Sequence, residues 1–127
     1  MEFSEQCTKL ATTMLSFRMS VKYMHWTTQS YATHKTTDGY LTKLDNLIDR
    51  IIETYSARYG RPRVGDALKI NVIIYPSFSN ALEIFAKQFL ETDFVRNVNP
   101  AIDSDLLTLR DELLSETMTA LYLSTFK

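Results

Sequence analysis

The chain has 127 residues, 45% of them hydrophobic and 23% charged, with a net charge of −1 at pH 7. That length and apolar content fit a single domain over residues 1–127 with one packed core, and the near-neutral charge offers no electrostatic grip on nucleic acid or an anionic membrane. One cysteine, Cys7, excludes an intramolecular disulfide, and no apolar run reaches the ~18 residues of a membrane span. Glu2, Glu5, Lys9 and Arg18 break up any signal-peptide-like apolar stretch, so a cytoplasmic protein is expected.

Residues 3–28 carry one long helical period. Phe3, Cys7, Leu10, Met14, Phe17, Val21 and Met24 share a face, and His25 lies on it. The helix is expected to fray near Thr27, Thr28 and Gln29, and Ser30, Tyr31 and Ala32 form a short connection, which makes the next helix an antiparallel neighbour and brings His25 near His34. Thr33 is the expected N-cap of that second helix. It runs to about Tyr59 and stops at Gly60, with Pro62 following. Its apolar face comprises Leu41, Leu44, Ile48, Ile51, Ile52 and Tyr55. Gly39 inside it costs ~1 kcal/mol relative to Ala, which is tolerable where a side chain or second backbone must come close. Arg58, Arg61 and Arg63 near its end suit the negative pole of the helix dipole.

Lys69 to Tyr75 is β-branched and apolar and ends at Pro76. A lone strand has no partner in such a chain, so residues 61–76 are expected to be a connection traversing the bundle. A third helix then starts near Ser77 or Ser79 and carries Phe78, Leu82, Phe85, Ala86, Phe89 and Leu90 to about Phe94. After the Asn97, Asn99 and Pro100 turn, Asp103 or Ser104 caps a fourth helix. Its apolar positions include Leu106, Leu107, Leu109, Leu113, Leu114, Thr117, Met118, Leu121 and Tyr122. Short, long and short connections describe an all-α, ferritin-like four-helix bundle with one long crossover between helices 2 and 3.

Both histidines of the chain and a run of carboxylates fall between residues 25 and 53. On a helix at ~100° per residue, with His34 at zero, Asp45, Asp38, Asp49 and Glu53 follow within roughly 100°. This stripe is expected along the edge of the core face. Carboxylates there need partners, because an unpaired buried charge is costly. A bound cation is one such partner; Arg or Lys from another helix is the other.

These residues carry a resemblance. His25-Trp26, followed by His34-x3-Asp38-x10-Asp49-x3-Glu53, resembles the ferroxidase signature of the Dps family, the small ferritins that protect DNA during starvation. All spacings within the second helix agree. His25 and His34 are nine residues apart, a shorter interval than that family uses. The run His25-Trp26, Ser30-Tyr31-Ala32 and His34-Lys35 also resembles small uncharacterised proteins of tailed phages, which makes a viral source, and a place in the host cytoplasm or virion, credible.

The resemblance implies that His25, His34, Asp38, Asp49 and Glu53 ligate iron and catalyse its oxidation by peroxide or dioxygen, with Zn or Mn as alternative metals. Trp26 would stand beside the site as an electron donor, or serve only as packing in the core or an interface. Asp45 lies outside the matched pattern and is expected to be a supporting or salt-bridge residue. At ~1.5 Å per residue, Asp38 and Asp49 are roughly 16 Å apart along one helix and cannot share an ion. One chain therefore holds two incomplete sets, His25, His34 and Asp38 in one, Asp49 and Glu53 in the other. The resemblance implies that a two-fold partner joins them, giving at least a homodimer; a larger cage is an option that the signature itself does not require. The competing expectation is a catalytically inert ferritin-like bundle serving as a viral or cellular structural or interaction module. There the stripe pairs with arginines or holds a structural ion.

Overall fold

A computed structural model of the protein describes residues 2–126. It is all-helical, with four helical segments and no strand among the described residues. No helix among them is long and apolar enough to cross a membrane.

Helix α1 spans Phe3–Thr27. Apolar side chains three and four residues apart give it one buried stripe, Cys7, Leu10, Met14, Phe17 and Val21, as the sequence period predicts. Phe3, expected on that stripe, is 52% exposed and packs its ring tilted against that of Tyr59, with centroids 4.7 Å apart. Helix α2 spans Tyr31–Tyr59. Its N-cap is Ser30, whose hydroxyl accepts from the Thr33 N–H; Thr33, the expected cap, is the residue being capped. At the other end Gly60 takes φ 118°, a conformation that strains any residue with a Cβ, and its N–H bonds Ser56.

The connection that follows lies beside α1. Thr8, Ser16 and Ser20 of α1 accept hydrogen bonds from the backbone N–H groups of Arg63, Asn71 and Ile73 in turn. Residues 61–76 therefore travel in the same direction as α1, from its start towards its end. The expected traversing segment is present.

Ser77 caps α3, Phe78–Ile84, through the Asn80 N–H. The chain then widens into a π-helix, Phe85–Asp93, which the sequence reading had as ordinary helix. The reason lies in the apolar spacing. Ala81-Leu82, Phe85-Ala86 and Phe89-Leu90 recur every four residues, and Phe94 follows after five. On an α-helix each four-residue step drifts by ~40°, so the last pair would leave the core. A wider turn keeps all of them buried. The Thr92 hydroxyl, bonded to the carbonyl of Lys87 five residues back, helps hold it.

A 3₁₀ turn at Val95–Asn97 leads to α4, Ser104–Leu123. Helix α2 lies between α1 and α4, and α3 closes the bundle against α4 and α1. Phe17 and Phe85 stack face to face at 3.8 Å in the centre, and the buried Tyr40 hydroxyl bonds Thr117 at 2.8 Å. Leu106, Leu109 and Leu113 face inward as expected, whereas Met118 and Tyr122 are largely exposed. They lie off the face that carries Leu113, Thr117 and Ala120 into the core.

The lower end is locked by a network the sequence did not reveal. Asp103, the N-cap residue of α4, is fully buried, and its carboxylate accepts from Arg58, the Tyr59 hydroxyl and the Asn99 N–H at 2.7–2.8 Å. Arg58 also makes two bonds to Asp105. Burial opposes the charged form of Asp103, but the bonds from Tyr59, Asn99 and Arg58 together outweigh it and hold the carboxyl below the usual range. The stability this adds is complete above the unfolded aspartate value of ~3.9 and is lost as pH falls below it. Asp103→Ala should cost about 3 kcal/mol in denaturant melts by leaving buried donors unpaired. Asp103→Asn should flatten the fall of Tm with acidification below about pH 4.

Candidate metal centre

The link between α1 and α2 is only three residues, Thr28 to Ser30. With no slack, the last turn of one helix faces the first turn of the other, and the two histidines cross-brace them. His34 Nδ1 donates to the carbonyl of His25 at 3.0 Å, and His25 Nδ1 donates to the carbonyl of His34 at 2.9 Å. The rings stack with centroids 3.9 Å apart and planes within 15°. The His25 carbonyl belongs to the last turn of α1, where it has no helical donor, so the His34 imidazole also completes the end of that helix.

The bonds decide the tautomers. A carbonyl only accepts, so both Nδ1 atoms must carry the proton. In each neutral ring the lone pair is then on Nε2, the arrangement a metal-ligating histidine requires. Neither Nε2 has a hydrogen-bond partner among the described residues. His25 is 8% exposed, yet no sealed side-chain nitrogen lacks a partner, so its Nε2 opens towards solvent. Thr37, fully buried one turn into α2, has its hydroxyl 2.9 Å from His25 Nδ1 and bonds the backbone of Thr33 and His34. Sequence reading passed over it, though a threonine three residues after His34 on the core side could have been noticed as an orienting group.

The carboxylates stand differently from expectation. Asp38, Asp49 and Glu53 are exposed rather than set at the core edge, and none forms an ion pair among the described residues. The side of α2 between α1 and α4 is filled by Leu41, Leu44, Ile48 and Ile51, so these three point outward and remain hydrated. Asp45 is the exception and meets the salt-bridge expectation: Arg18 of α1 grips both its oxygens at 2.9 and 3.2 Å. Arg50 turns to Glu112 of α4 instead of Asp49. Trp26 is 64% exposed, with the Lys22 ammonium 5.8 Å from its ring centroid, so it is not core packing.

Thus the structure joins His25 and His34 and leaves Asp38 one turn further along α2, with Asp49 and Glu53 about three and four turns beyond that. Among the described residues of one chain, no three His, Cys, Asp or Glu side chains converge as a metal-holding group. Gly39 has open space on its outer side, with nothing within 4 Å of where a Cβ would stand.

Nitrogen NMR at a pH where the rings are neutral should show both imidazoles as the Nδ1–H tautomer. Thr37→Val should destabilise the protein by about 1 kcal/mol and loosen the His25 ring, seen as line broadening of that residue alone.

No curated protein and no solved structure matches this chain. Residues 25–123, from the first histidine to the last turn of α4, match the family of unknown function DUF5856, and the chain belongs to that family.

Proposed function

We propose that the protein is a Dps-like iron-binding protein whose ferroxidase-type site is completed by a second copy of the chain. The observation that carries this reading is the pair of Nδ1-anchored imidazoles, which present two oriented Nε2 lone pairs at one end of an otherwise satisfied polar framework. Two nitrogens do not hold iron alone. Carboxylates from elsewhere must supply the oxygen ligands that suit both oxidation states.

The outward face of α2 supports a twin as their source. It carries Lys35, Asp38, Gly39, Thr42, Asn46, Asp49, Arg50 and Glu53, all exposed. A two-fold axis at the level of residue 44 would set Lys35 against Glu53, Asp38 against Arg50 and Thr42 against Asn46 of the second copy. Opposite charges meet at both ends, and the small or short residues Gly39, Thr42 and Asn46 let the helices approach near the middle. The same register sets His34 within one residue of the level of Glu53, and Asp38 within one residue of Asp49. The two ligand sets, roughly 16 Å apart in one chain, would then face each other twice per dimer.

The connectivity fits this reading. With residues 61–76 running beside α1 in its own direction, α2 and α3 point the same way, as in a ferritin-like bundle with one long crossover. In the proposed reaction Fe(II) is the substrate. Each of two ions gives one electron to hydrogen peroxide, which takes up two protons and leaves as two waters; dioxygen is the alternative oxidant. The chain's own part is to bind and orient, with His25 and His34 held by carbonyls and Asp38, Asp49 and Glu53 neutralising the cations.

Fe(II) added to metal-free protein under peroxide should give ferric absorbance, strongly reduced in His34→Ala and in Asp49→Ala. Mixing the two variants should restore about a quarter of the wild-type sites, since half the dimers are mixed and each mixed dimer has one intact site of two. No oxidation by the wild type would favour the inert interaction module. Activity without recovery on mixing would place the whole site within one chain.

A further inference from the structure

The β-branched run Lys69 to Tyr75 plays no part in the proposed metal chemistry, yet its backbone is tied to α1 along one side. Asn71 and Ile73 donate their N–H groups to Ser16 and Ser20. Those two hydroxyl positions are ~6 Å apart along α1, close to the ~6.7 Å between alternate residues of an extended chain. Lys69, Asn71, Ile73 and Tyr75, every second residue, line a groove against α1 and the π-helix, although Ile73 stays 49% exposed, close to the 47% of Val72, and only Ile74, at 72%, stands well clear. By contrast Arg63 to Asn71 covers only the ~12 Å from Thr8 to Ser16 with eight residues, so that part is bowed. Residues 71–73 are therefore spaced as in an extended chain, with no strand beside them among the described residues.

In an extended chain successive N–H and C=O groups point to opposite edges. With Asn71 and Ile73 turned to α1, the groups of Ile70, Val72 and Ile74 turn away, and none has a backbone partner among the described residues. Such an edge accepts another strand and little else.

We infer that residues 70–74 pair with the same residues of a second copy as an antiparallel two-stranded ribbon around a two-fold axis at Val72. The parity is self-consistent. Val72 faces Val72 and Ile70 faces Ile74, all with their bonding groups on the free edge, for about six hydrogen bonds. Every cross-strand pair on the exposed side is β-branched. Charge also agrees, because Lys69 comes opposite Tyr75 of the other copy and never opposite its own equivalent. An isolated two-stranded ribbon is marginal in water, but here each strand is already ordered on its own helix. The ribbon lies over α1 and the π-helix, away from the α2 face, so it does not depend on the metal reading.

Hydrogen exchange on the intact protein tests it. The amides of Val72 and Ile74 should be protected about tenfold or more relative to Leu68, and that protection should rise with protein concentration. Val72→Pro, which removes a paired N–H, should abolish protection at Ile74 and lower the sedimenting mass, whereas Val64→Lys, at a 99% exposed site in the bowed part, should change neither. Should the proline variant misfold by circular dichroism, the wild-type exchange decides alone. Val72 and Ile74 exchanging as fast as Leu68 at all concentrations, or protected independently of concentration, would overturn the ribbon. So would protection that arises only with an added peptide from another protein.

Discussion

The reciprocal bonds between His25 and His34 are the constraint on which the rest turns. A three-residue link cannot absorb mismatch, so the ends of α1 and α2 must satisfy each other. Each histidine donates to the other's carbonyl, and the stacked rings fill the space between. This fixes where α2 starts and how it is rotated about its axis. The rotation in turn decides that Leu44 and Ile51 are sealed while Asp38, Asp49 and Glu53 face out. The bracing uses only the Nδ1 atoms. A structural role for these histidines and a chemical one therefore do not compete, since they draw on different nitrogens of the same rings.

The two ends of the bundle are held by different physics. At the histidine end the link is short and neutral groups do the bracing. At the other end the chain needs a charged centre, because residues 94–103 bring no regular hydrogen-bond ladder. Asp103 gathers Arg58, Tyr59 and the Asn99 backbone around one buried carboxylate, joining the end of α2 to the start of α4. Removing its partners singly would leave charge or polar groups in a low-dielectric site, so the network stands or falls as a unit.

How far the sequence revealed this depends on the range of each interaction. Helix periods are local, so α1, the end of α2 and the stop at Gly60 were legible to within a residue, whereas α2 begins three residues before the start the sequence suggested. The strand-like run at 69–75 was also rightly denied a partner within the chain. The Arg18–Asp45 pair could be anticipated as a salt bridge because Asp45 sits between core and solvent, though nothing local named Arg18. The Arg58–Asp103 bond spans 45 residues and had no local trace. The π-helix did leave one, in apolar pairs recurring every four residues, but that rhythm is easily taken for an imperfect α-helix. Ser30 was missed as a cap because Thr33 stands nearer the first apolar turn. The site was legible as a set of residue types and spacings. Exposure of its carboxylates was not, since a helical wheel gives angles within a helix but not which neighbours fill the space around it.

That exposure bears directly on what the carboxylates can be for. On a monomer, three hydrated acids along α2 are ordinary surface and bring no stability. Their arrangement is less ordinary: Lys35 and Asp38, a gap of small and neutral residues, then Asp49, Arg50 and Glu53, so that the opposite charges of 35 and 53, and of 38 and 50, stand equally far from the centre. Such a pattern is its own complement under a two-fold rotation. A helix meant only for solvent has no need of that order or of the open space beside Gly39. If a twin fills that space, the carboxylates pass from water to the mouth of two oriented imidazoles, and their mutual repulsion becomes affinity for a cation. The metal and the dimer then stabilise each other, because the ion offsets the like charges the interface brings together.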